Sequence, residues 1–124
     1  IVVVNVIVKM ENVMNNLTYD ELDNMFKGGE NLTDKPIFID FYATWWGPCK
    51  VFEQVLNEVS PEYEDKIQMY KVNIEEEPEL AKRFKVMSVP LTTSISKSGD
   101  VNSTLGSIPK DTLKYFLDGL ISKK

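Results

Sequence analysis

The 124-residue sequence predicts an α/β fold in which a mixed central sheet is flanked by helices on both faces. Three observations predict it. The run IFIDFY at 37–42 is apolar almost throughout instead of alternating, as a strand covered on both faces requires. Strand-like runs alternate with runs of helical spacing, which implies parallel strands joined by right-handed crossovers. Near the end, VPLTTSIS and VNSTLG are joined by KSGD and read as an antiparallel hairpin, so the sheet is mixed.

The elements follow in order. The opening IVVVNVIVK is β-branched and apolar but too short to cross a bilayer. No basic segment precedes it and no small-residue cleavage site follows, so residues 1–10 read as an extra N-terminal strand or as an extension upstream of the domain proper. In NLTYDELDNMFK, Thr18 with Glu21 three residues on is a capping-box pattern, and Leu22, Met25 and Phe26 fall on one helical face. GGENLTDKP reads as a loop before the IFIDFY strand. WWGPC turns the chain, and Pro48 suits the first turn of a helix, where its missing N–H costs nothing. Val51, Phe52, Val55, Leu56 and Val59 continue that helix, which should end near Pro61. IQMYKVNI is a strand, and EEEPELAKRF a short helix with an acidic start suited to the dipole and with Leu80 one turn from Phe84. Gly99 suits the tight turn of the hairpin. The last helix, in IPKDTLKYFLDGLIS, turns Leu113, Phe116, Leu117, Leu120 and Ile121 toward the core. The order is βαβαβαββα, within a single domain spanning 1–124.

Composition narrows the function. Fourteen Lys and Arg against nineteen Asp and Glu give a net charge of −5, the wrong sign for a nucleic-acid phosphate backbone, so no nucleic acid is expected as partner. There is no histidine, which removes Ser-His-Asp and Cys-His catalysis and leaves only carboxylate and oxygen donors for a metal. No metal or other cofactor is expected. One cysteine allows no internal disulfide, and cysteine arithmetic does not separate an oxidising from a reducing compartment; the cytoplasm is slightly favoured and export stays open.

That cysteine stands in WWGPCK, which resembles the WCGPCK signature of the thioredoxin family with the first cysteine replaced by Trp46. The resemblance extends through IDFYATW, MYKVNIE, the dipeptide VP and LGSIPKDTLKYFL, in the family's order, and covers residues 11 to 124. It implies a thioredoxin fold and membership of a family of protein-disulfide oxidoreductases that serve cell redox homeostasis. In that chemistry an exposed cysteine at a helix N-terminus attacks a substrate disulfide, and a second, buried one resolves the mixed disulfide. Cys49 fills the resolving position. Trp46 fills the attacking one and has no thiolate to offer. The chain is a monothiol, expected to be inactive in dithiol exchange, and whether it is an enzyme at all is left open.

The resemblance assigns further roles. Asp40 matches the family's buried proton acceptor and Lys71 the lysine that accompanies it. Pro90 matches the cis-proline, and Trp45, Gly47, Pro48, Val89 and Gly106 surround the groove that takes an extended peptide. Read from the residues alone, Asp40 is equally a buried carboxylate neutral or paired with Lys71, Lys71 a solvated strand residue, Pro90 a trans proline at a strand start, and Trp46 a lid over the groove. Cys49 reads best as a buried, inert small hydrophobe with a raised pKa. Two departures accompany the missing cysteine. Thr92, Ser94 and Ser96 put hydroxyls on a strand face where aliphatic residues are usual, so that face should be less fully covered, and Gln54 replaces a helix-kinking proline, so that helix should run straighter. The partner expected is a protein bearing a disulfide or an extended peptide. The competing reading is a redox-inactive module that binds a protein or peptide at the cis-proline groove, and a homodimer through the N-terminal strand is a third.

Overall fold

The computed structural model describes residues 14–123. The strand predicted over 1–10 lies outside the described residues. The first described element is instead a two-residue edge strand, β1 (Asn15–Asn16), a piece too short and too polar to stand out in the sequence. Helix α1 (Tyr19–Met25) begins at the predicted box: Thr18 Oγ1 accepts from the Glu21 N–H at 3.2 Å, and the Glu21 carboxylate accepts from the Thr18 N–H at 3.1 Å. Phe26, expected on this helix, lies just past its end in extended backbone. It opens a small hairpin, β2 (Phe26–Lys27) with β3 (Glu30–Asn31), where GGENLTDKP had read as loop. The signal was present in Gly28 and Gly29, which have φ of 62° and 77°, values a two-residue hairpin turn demands and side chains resist.

Strand β4 (Ile37–Tyr42) leads into helix α2 (Gly47–Val59), with Pro48 in its first turn. Cys49, Phe52, Leu56 and Val59 form its buried stripe, at helical spacing. Val51, predicted on that stripe, is 58% exposed because it lies one position off it. The helix runs unbroken past Gln54 into a 3-10 turn at Ser60–Glu62, which holds Pro61. β5 (Gln68–Asn73), α3 (Pro78–Arg83), β6 (Leu91–Ile95), β7 (Val101–Leu105) and α4 (Lys110–Ser122) complete the order.

Among the described residues, five strands form one sheet in the order β1-β5-β4-β6-β7. β4 pairs in parallel with β5 and antiparallel with β6, so the mixed sheet expected from the sequence has its change of direction beside its central strand. Alternation along β4 divides the core. Phe38 packs with Phe52, Leu56, Leu113 and Leu117 under α2 and α4. Ile37, Ile39 and Phe41 pack on the other face with Leu22 of α1 and Leu80 of α3, where the Phe41 and Phe84 rings lie 5.6 Å apart. Covering on both faces is why the strand is apolar without alternation.

The hydroxyl-bearing face of β6 corrects an expectation. Thr92, Ser94 and Ser96 are all buried, not partly uncovered. Their small side chains leave volume instead: Ser94 and Ser96 line a groove of about 580 Å³ between β6, β7 and α4, whose walls include Thr104, Ile108 and Phe116.

The turn between β6 and β7 packs on the small hairpin. Gly99 has φ of 95°, and a Cβ there would run into the backbone carbonyl oxygen of Gly29. Gly119, inside α4, has open space around its missing Cβ. Gly99→Ala should therefore lower stability in urea unfolding by about 2–4 kcal/mol, through both strain and the backbone collision. Gly119→Ala should raise it by up to about 1 kcal/mol. Equal midpoints for the two variants would show that the turn yields freely.

Candidate functional site

The site is assembled at the C-terminal end of β4, where the chain leaves the sheet for α2. Trp46 is the N-cap of α2: its carbonyl accepts from the Cys49 N–H at 3.1 Å, while its side chain makes no capping bond. The first helical N–H groups thus face outward at the positive end of a 13-residue helix. Gly47 and Pro48 follow, both exposed, and Cys49 then turns inward and is buried. Position 46 is outside because, as the N-cap, it is still in extended backbone (φ −94°, ψ 121°), whereas Cys49 is the first residue of the helix on its buried stripe.

Asp40 lies beneath. It shares the face of β4 that carries Phe38, so its carboxyl points toward α2, and it is 4% exposed with Oδ1 lacking a hydrogen-bond partner. Burial first, and then the Glu53 carboxylate, push its pKa up to about 7, against the lowering effect of Lys71, the residue beside it on β5. The Cys49 thiol is also raised, first by burial and then by the nearby Asp40 carboxyl, against a lowering hydrogen bond from the Ala43 backbone. A raised thiol is a poor nucleophile at neutral pH.

The outer surface of the site is aromatic. Trp45 and Trp46 are 65% and 43% exposed, and their rings meet edge to face at 5.8 Å. Trp45 Nε1 donates to Glu75 Oε1 at 2.8 Å, tying the turn to the loop after β5. Across from them the Val89–Pro90 bond is cis, Val89 is half-buried, and Pro90 is buried. The Pro90 carbonyl accepts from the Gly106 N–H at 2.8 Å, and Gly106 has φ of 100°. Met87, two residues before Val89, is 94% exposed.

A family model described as Thioredoxin matches residues 14–119. The chain belongs to the thioredoxin family. It is 38% identical to Thioredoxin 1 of a Nostoc species over 77% of this chain and 90% of that one. It is 37% identical to the thioredoxin of Porphyra purpurea over 81% of this chain and 94% of that one. Among solved structures, the Malassezia sympodialis thioredoxin superposes with a TM-score of 0.74 at 24% identity, covering 90% of this chain and 94% of that one. Chloroplastic thioredoxin z gives 0.75 at 20% identity over 89% and 96%, so the thioredoxin fold is shared well below the identity at which sequence alone carries it.

Of the residues picked from the resemblance, Asp40 and Cys49 are buried beneath the exposed Trp45, Trp46, Gly47 and Pro48, Lys71 stands beside Asp40, and the half-buried Val89 and Gly106 lie with the buried Pro90 at the same end of the sheet. Four contributors were missed. Glu53 acts on Asp40 from one helical turn past Cys49, and that spacing was its only signal. Ala43 reaches the thiol through its backbone, which no side chain announces. Glu75 holds Trp45 from thirty residues away, and Met87 adds exposed apolar surface. Lys71 stands beside Asp40 in register, which its place in MYKVNIE did not reveal without the strand pairing.

Two measurements check this description. Folded Asp40 keeps its proton to about pH 7, whereas an unfolded aspartate loses it near 3.8. Below that window both states are protonated and the residue costs nothing; as pH rises through it the unfolded state ionises first, so stability falls, and above pH 7 the loss is complete, on the order of 4 kcal/mol. Asp40→Asn should flatten the pH dependence of the urea midpoint between pH 4 and 7 and make the protein more stable than wild type at pH 8. For Cys49, alkylation at pH 7.4 should be at least about tenfold slower in the folded protein than in denaturant; equal rates would place the sulfur at the surface.

Proposed function

We propose that this chain has the site of a thioredoxin-type protein-disulfide reductase in which Trp46 occupies the attacking position, so that it does not turn over disulfides by itself. The observation that carries this reading is the pairing of a buried Cys49 with a buried Asp40 of raised pKa, below an exposed position 46 at a helix N-cap. A resolving thiol needs a nearby group to take its proton, and a carboxylate with a pKa near neutrality suits that step. One base change separates a cysteine codon from the tryptophan codon.

In the full reaction a thiolate at position 46 attacks one sulfur of the substrate disulfide, forming a mixed disulfide and releasing the other sulfur as a thiolate that takes up a proton. Cys49 passes its proton to Asp40 and attacks the sulfur of residue 46, which frees the second substrate thiol. Two electrons pass to the substrate, and the protein is left with a 46–49 disulfide. With tryptophan at 46 the first bond cannot form. Trp46→Cys should therefore raise dithiothreitol-driven reduction of insulin from background by at least about a hundredfold, and adding Cys49→Ala to it should abolish that gain. Turnover at background in Trp46→Cys would count against the reading.

The exposed Trp45, Trp46 and Met87 favour a second reading, a module that binds an extended peptide across the cis-proline groove without redox chemistry. On that reading, selection of extended peptides on the wild-type chain yields ligands that bind Cys49→Ala unchanged but lose at least about tenfold on Trp46→Ala. Retained affinity in both variants would move the binding surface elsewhere.

A further inference from the structure

We infer that the free edge of β7 is a docking surface for a second copy of the same chain, joined by antiparallel pairing of the two β7 strands about a two-fold axis at Ser103. Among the described residues β7 has a partner on one side only, β6, and all five of its residues, Val101 to Leu105, are exposed.

The hydrogen-bonding direction of each residue follows from the bonds at the strand's two ends. The Ser96 N–H donates to the Asp100 carbonyl at 2.9 Å, and the Gly106 N–H donates to the Pro90 carbonyl at 2.8 Å. Asp100 and Gly106 therefore direct their backbone toward β6, and in an antiparallel ladder the same holds for Asn102 and Thr104 between them. Val101, Ser103 and Leu105 direct their N–H and C=O groups to the open edge.

That triplet is complementary to itself. With Ser103 opposite Ser103 of a second copy, Val101 falls opposite Leu105 and Leu105 opposite Val101. Each is then a hydrogen-bonded pair, giving six inter-chain bonds. The side chains agree with this register. Val101 and Leu105 are 44% and 62% exposed, and each gains an apolar partner directly across the strands. Asn102 and Thr104 face each other on the opposite side as polar partners. No charged residue lies between Val101 and Leu105, and Asp100 at the end would stand opposite Gly106, so along the paired strands no like charges stand directly opposite each other despite the net charge of −5.

An exposed edge strand is usually blunted by a lysine, a proline or a bulge, and β7 has none of these over its pairing residues. Closed two-fold symmetry gives this edge a partner that ends the assembly at two chains. A foreign strand would meet the same backbone without the matched side-chain register, which is why a second copy fits best.

Sedimentation equilibrium of the full 124-residue chain, across about 10 µM to 1 mM, reads the result. The wild type should show a concentration-dependent dimer. Ser103→Pro removes an N–H that points away from β6, so it keeps the β6 backbone ladder while breaking the centre of the interface, at the cost of the 2.9 Å hydroxyl bond between Ser103 and Thr93; it should weaken dimerisation at least about tenfold with an unchanged far-ultraviolet spectrum, and Ser103→Ala, which loses only that hydroxyl bond, should leave dimerisation unchanged. Val101→Glu should weaken it similarly, and Val101→Glu combined with Leu105→Lys should restore it, because the two new charges lie opposite each other only between chains. A monomer throughout overturns the inference, and so does a dimer indifferent to Ser103→Pro and to Val101→Glu, which would put the contact on another surface. If Ser103→Pro fails to fold, the charge pair decides alone.

Discussion

β4 has water on neither side, and the site exists because of that burial. Hydrogen-bonded to β5 along one edge and to β6 along the other, it has core packed on both faces. Burying Phe38, Ile39 and Phe41 contributes about 2 kcal/mol each, enough to carry one carboxyl into the core without a partner for Oδ1. The strand's length then sets where the chain emerges. Tyr42 ends the pairing, and within five residues α2 begins with its N-terminus outward and its first buried side chain, Cys49, on the carboxyl's side of the sheet.

The two halves of the site face opposite demands. Inside, burial raises both Asp40 and Cys49 toward their neutral forms, so the interior holds protons and not charge. Outside, the N-cap of α2 offers N–H groups and positive potential, conditions that favour a thiolate. The outward position is the one occupied by tryptophan. The interior of the site thus holds two groups near their neutral forms, while its outward side is an aromatic surface braced by Glu75.

Most of the fold was legible because its cues are local and periodic. Thr18 and Glu21 marked a helix start three residues apart, the unbroken apolar run marked the central strand, and Gly99 marked a turn. Elements of two residues carry no period, so β1 and the hairpin at Gly28 and Gly29 were lost in loop. Val51 and Phe26 were misplaced for a related reason: an apolar residue beside a buried stripe looks like part of it until the backbone fixes its angle. For the site, the resemblance named positions, but the environment that gives them chemistry comes from partners distant in sequence. Asp40 meets Lys71 through strand register, a neighbour the resemblance supplied and the residues alone did not, and Trp45 meets Glu75 through a loop with no pattern to read.

Trp45 and Trp46 are the two tryptophans in the chain, and they sit edge to face on the same turn. Intrinsic indole fluorescence therefore comes entirely from the site's outer wall and not from either core. Its emission colour and quenching report the wetness of that turn and the grip of Glu75 on one of the two rings. A molecule settling against the turn would announce itself without a label, while the packing beneath could rearrange in the dark.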